Sequence, residues 1–134
     1  MIPPSQLHLM GDIMFDSDLL AHVGYVLLGL FYVANGVVHF KHFRELSDAM
    51  SARRIPLPGI SLALGSSFQI IAGIALALQA DVRLSALGLA AFTIAASFIF
   101  LDFWSRTGAA RTAAISTWQT NLALTGALVI IGMH

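Results

Sequence analysis

Asn35 and His39 stand four residues apart at the end of one apolar run, and Gln69 stands alone near the middle of a second. Thr93 and Ser97 lie four apart in a third run, and Thr117, Asn121 and Thr125 repeat at the same spacing in a fourth. Side chains four apart share one helix face, so each run offers a polar position at compatible depth. Hydrocarbon cannot hydrogen-bond, so each such group must find protein, water or a ligand. Two readings stay open for Asn35, His39, Gln69 and Asn121. They bond one helix to the next, each contact contributing roughly 0.6–2 kcal/mol, or they line a pocket for a quinone headgroup, a lipid or a small substrate. His39 adds an imidazole that exchanges protons or holds a quinone carbonyl.

Other chemistries are excluded by residue type. Cysteine is absent, which removes disulfides, thiolate metal sites and dithiol redox steps. Haem is not expected: His22 and His39 lie on one helix at a separation of about 25 Å, too far apart to share one. No metal site and no covalent cofactor are expected, and no residue is assigned a catalytic role.

A second polar group gathers at the end of the third run. Arg54, Asp102, Trp104 and Arg111 are read as a rim cluster in which the carboxylate pairs with a guanidinium. Arg106 or Arg111 reaches it across the turn, and Arg53 or Arg54 reaches it from the first connection. An ion pair closing that end competes with a proton-handling role for Asp102.

The elements that must position these groups follow from composition. The 134 residues are 57% hydrophobic and 10% charged, against about 25% charged in a soluble domain. The fold expected is an all-α membrane protein, a four-helix transmembrane bundle forming one domain over residues 1–134. Roughly 20 apolar residues cross the hydrocarbon, and four runs meet that length: Leu19–Phe40, Pro58–Gln79, Leu84–Leu101 and Ala113–Gly132. Ser17 or Asp18 is placed to cap the first, and Pro58 opens the second, where its missing N–H costs nothing. Between them Phe43, Leu46 and Met50 recur at helical spacing among charged residues, which predicts a short helix on the membrane surface. Small residues four apart, including Ser61 with Gly65 and Gly73 with Ala77, mark close helix approach. The first residues lack Lys and Arg and carry three Asp, so they are not read as a signal peptide.

Orientation follows from the basic residues. Lys41, Arg44, Arg53, Arg54, Arg106 and Arg111 lie on one side and only Arg83 on the other. Positive residues stay cytoplasmic, so both termini are expected on the outer face. The aromatics at the basic end read as headgroup-level anchors. Zero formal net charge gives no footprint for nucleic acid, and lipid is the obligatory neighbour.

In order and spacing, Gly36-Val37-Val38-His39-Phe40, Arg54-Ile55-Pro56, Gln69 with Gly73, Asp102-Phe103-Trp104 and Asn121-Leu122-Ala123-Leu124 resemble the DoxX family of small four-helix bacterial membrane proteins. The resemblance runs from about Leu19 to Gly132. Asn121, Asp102 and Trp104 match the family pattern. Gln69, Leu101 and Thr120 stand where that pattern commonly has glutamate, histidine and lysine, and His39 replaces a lysine, so no intramembrane charge relay is carried over. The resemblance implies the bacterial cytoplasmic membrane and a redox neighbourhood, with family members associated with membrane oxidoreductase complexes that include a thiosulfate:quinone oxidoreductase. Three functions remain open. The leading one is a non-catalytic subunit that anchors redox partner proteins and offers quinone or lipid a pocket. The second is a quinone-reactive subunit using His39, Asn35 and Asp102, and the third is a small transporter or channel.

Overall fold

The computed structural model describes all 134 residues. It is all-helical: α1 (Pro4–Lys41), α2 (Phe43–Ala52), α3 (Pro58–Ala77), α4 (Val82–Phe100) and α5 (Gly108–Met133), with one 3₁₀ turn, Phe103–Ser105, between the last two. Helices α1, α3, α4 and α5 are each long and apolar enough to cross a membrane. The chain is a multi-pass membrane protein, and α2 is the expected short helix between the first two spans.

The boundaries correct the expectation at one end. Helix α1 begins at Pro4, not near Leu19, and runs for 38 residues, about 57 Å. Pro4 sits in its first turn, where proline is preorganised, and nothing between it and Leu19 breaks the helix. Ser17 is mid-helix, its hydroxyl donating to the Met14 carbonyl at 3.0 Å, and neither Ser17 nor Asp18 caps anything. Helix α5 likewise starts earlier than expected, at Gly108 after Thr107. Pro58 does open α3, and the Asp81 carboxylate caps α4 by accepting the Leu84 N–H.

The helices pack in chain order. Helix α1 lies along α3, α3 against α4 and α4 against α5, whereas the backbones of α1 and α5 stand apart. The α1–α3 seam is a backbone contact. A Cβ on Gly29 would be driven into the Gly73 carbonyl oxygen, and one on Gly73 would stand 2.7 Å from the Gly29 carbonyl oxygen. Gly36, two turns along the same face of α1, leaves room for the Ile70 side chain. Between α3 and α4 the fit is ring into notch. Phe92 of α4 covers Gly65 and Phe68 of α3 covers Gly88, with the two rings 6.0 Å apart. Tyr32, Leu76, Leu89 and Leu128 complete the buried core with small alanines. Lipid tails are as apolar as leucine, so these seams are held by close dispersion contact and hydrogen bonds.

Helix α2 closes the basic end. Phe43 stacks on Phe40 at 6.2 Å, Met50 is buried, and the helix packs on α3 and touches α4. The link onward turns through Arg54 and Leu57, both in the left-handed region at φ 58° and 50°.

Gly73→Leu should exceed the cost of about 1–3 kcal/mol typical of overpacking, because the obstruction is backbone that cannot rotate away. Thermal unfolding in detergent checks this against Gly24→Leu, a position with nothing within 4 Å, which should melt as the wild type does. Equal melting of both variants would remove the Gly29–Gly73 contact as the seam.

Candidate functional site

The gap between α1 and α5 forms a groove of about 460 Å³ with α3 and α4 as its floor. Asn35, His39, Gln69 and Asn121 all line it, brought together from three helices. Phe31, Thr117 and Thr120 at its margins are exposed, so the groove is open between the two flanking helices. Leu46 of α2 bounds it at the basic end.

Most of the polar wall is bonded internally. The Tyr32 hydroxyl lies 2.7 Å from Thr93 Oγ1, and Thr93 donates to the Leu89 carbonyl, so Tyr32 is the donor across α1–α4. Asn121 Nδ2 donates to Ser97 Oγ at 2.9 Å, and Ser97 donates to the Thr93 carbonyl, which ties α5 to α4. Thr117 and Thr120 donate to carbonyls of their own helix, as does Asn35 Nδ2, to Phe31 at 2.9 Å. Thr125 bonds the Asn121 carbonyl and stands outside the groove.

Gln69 is the exception. It is 4% exposed, and its Oε1 is the one buried side-chain polar atom without a partner. Such an orphan costs about 1–3 kcal/mol, and buried polar groups are otherwise bonded almost without exception.

His39 lies at the junction of two spaces. Its Nδ1 is 3.3 Å from the Ser66 hydroxyl. With Phe92, Ala96 and Phe100 it lines both the groove and a second cavity of about 290 Å³ beneath α2. The second cavity is almost wholly apolar, bounded by Met50, Ile55, Leu62 and Ile99. A polar groove thus meets an apolar chamber at one imidazole. That arrangement suits an amphipathic molecule, its polar ring in the first and its apolar substituent in the second.

The rim cluster differs from the expected set. Asp102 accepts from Arg53 at 2.6 Å and from Arg106 at 3.0 Å, with Ser105 on its other oxygen. This clamps the end of α2 to the α4–α5 connection. Arg54 and Arg111 are exposed and join no ion pair. The left-handed backbone at Arg54 follows the turn that presents Arg53, and Arg111 lies a full turn into α5. Trp104 belongs to an aromatic group, 5.3 Å from Phe103 and 6.3 Å from Phe98. Asp102 does not line the groove. Gly65 and Gly73 stand at helix seams. Sequence reasoning passed over Tyr32 and Ser66, although Tyr32 precedes Asn35 by three and Ser66 precedes Gln69 by three, the spacing of a shared face.

No curated protein and no solved structure matches the chain. The DoxX family model matches residues 20–102, more than half of the chain. The matched stretch contains Asn35, His39, Ser66, Gln69 and Asp102, and ends before α5 with Asn121. It reproduces the resemblance seen in the ordered motifs up to Asp102, and on this ground the chain belongs to the DoxX family.

Proposed function

We propose that this chain is a non-catalytic membrane subunit of a bacterial redox complex, whose α1–α5 groove holds the headgroup of a quinone-class lipid. The observation that carries the reading is Gln69. Its Oε1, an unbonded acceptor almost fully buried in a groove whose other polar groups are mostly paired, is explained by a ligand that donates to it, as the hydroxyl of the reduced, quinol form does. The apolar chamber adjoining at His39 supplies room for a hydrophobic substituent. The connections hold only a ten-residue helix and short turns, and no thiol is present, which favours redox chemistry carried by a partner. The basic end then faces the cytoplasm, and both termini face outward.

One observation favours a second reading, a subunit that itself takes part in quinone chemistry. His39 lines both spaces, where an imidazole could exchange the protons of a reduced ring. Asp102, held by two arginines and a serine away from the groove, does not support that reading.

Gln69→Leu should raise the melting temperature of the ligand-free protein, since it removes an orphan worth about 1–3 kcal/mol, while weakening binding of the reduced, quinol form at least tenfold. Differential scanning and titration with quinol in nanodiscs read both quantities. A lower melting temperature with unchanged affinity would make Gln69 a packing residue and leave the groove without a ligand.

Extracted gently from its native membranes, the protein should co-purify with a dehydrogenase or respiratory component in fixed ratio. Purification alone, repeatedly and in several detergents, would contradict the subunit reading. His39→Ala separates the two readings. It leaves complex assembly intact in both, and it abolishes quinone turnover only if this chain participates in the reaction.

A further inference from the structure

Ser66 distinguishes itself from the other buried hydroxyls. It is 1% exposed. The hydroxyls of Ser85, Thr93 and Ser97 each donate to a backbone carbonyl. Ser66 makes no such bond, and its one partner is His39 Nδ1, 3.3 Å away across the α1–α3 seam. A ring nitrogen and a hydroxyl can share a proton in either direction, and the surroundings decide which. If Nδ1 carried the ring proton, Ser66 would accept and its own proton would have no acceptor, a penalty of about 1–3 kcal/mol. If Ser66 donates instead, both groups are satisfied and the ring proton resides on Nε2. His39 lines the groove and the apolar chamber, so the proton-bearing nitrogen is the one left over for a ligand.

We propose that Ser66 is a positioning residue that fixes His39 as a neutral Nε2–H donor, so that with the acceptor Gln69 Oε1 in the same groove the site binds the reduced, hydroxyl-bearing form of its ligand in preference to the quinone. The preference rests on the quinone-class reading above, whereas the assignment of the ring proton does not. A quinol oxygen accepts from that N–H and donates its own proton to Gln69 Oε1, so both groups are satisfied. A quinone oxygen only accepts, and it leaves Gln69 Oε1 without a partner. Stronger binding of the reduced form raises the midpoint potential of the bound couple by about 30 mV for each tenfold preference.

Two measurements on the full-length protein in nanodiscs test this at pH 8, where an ordinary imidazole is neutral. Nitrogen NMR of ¹⁵N-histidine protein, with His39→Gln for assignment, should show His39 protonated on Nε2, and Ser66→Ala should redistribute the proton between the two nitrogens. A redox titration of bound ubiquinone-1 should give a potential tens of millivolts above that of the same quinone in empty nanodiscs, the difference shrinking in Gln69→Leu. A wild-type proton on Nδ1, or a spectrum indifferent to Ser66→Ala, would overturn the positioning role. A bound potential at or below the free value would overturn the preference while leaving the quinone site standing. No bound ubiquinone-1 at all would remove the ligand reading, with the NMR result still deciding the proton.

Discussion

Hydrocarbon offers no hydrogen bonds, and the interior of this protein is organised by that constraint. The polar side chains of α1, α4 and α5 meet it by bonding to one another or to their own helices. Tyr32 bonds Thr93, Asn121 bonds Ser97, and Thr93 and Ser97 return their own protons to carbonyls of α4. The result joins three helices through a few short bonds and leaves little polar surplus. Against that background the orphan oxygen of Gln69 is a sustained cost. Natural sequences retain such costs where binding or activity needs them.

The groove exists because of where the helices approach and where they do not. Backbone contact at Gly29 and Gly73 draws α1 onto α3, and the Phe68 and Phe92 rings in their glycine notches set α4 beside α3. Helix α5 follows α4 on the far side, with its backbone away from that of α1. The gap between them is then lined by whatever polar residues face inward at that depth. Helix α2, held by Met50 beneath and by the Arg53–Asp102 pair at its end, roofs the apolar chamber beside it. Packing, in this sense, creates the candidate site.

Much of this was legible in the sequence, for identifiable reasons. The four apolar runs announce their helices because a bilayer leaves few alternatives, and the four-residue spacings of Asn35 with His39 and of Thr117 with Asn121 placed those pairs on one face. The start of α1 was misread because Ser17 and Asp18 resemble caps. A helix begun at Pro4 simply continues through them, and Ser17 back-bonds. The partner choice of Asp102 was beyond sequence reasoning. Four arginines were within reach, and the folded chain sets Arg53 and Arg106 against the carboxylate while Arg54 and Arg111 join no ion pair. Nor could spacing show that Gln69 goes unbonded while Asn121 is satisfied, since both are amides in apolar helices and differ only in what three-dimensional packing sets beside them.

The central claim is that the α1–α5 groove is a ligand site kept open around Gln69. Native mass spectrometry on protein gently extracted from its own membranes tests it most directly. The account predicts a retained species of quinone mass in the wild type that is lost from Gln69→Leu, together with a redox partner in fixed ratio. A wild-type protein carrying only phospholipid, indistinguishable from the variant, would contradict it.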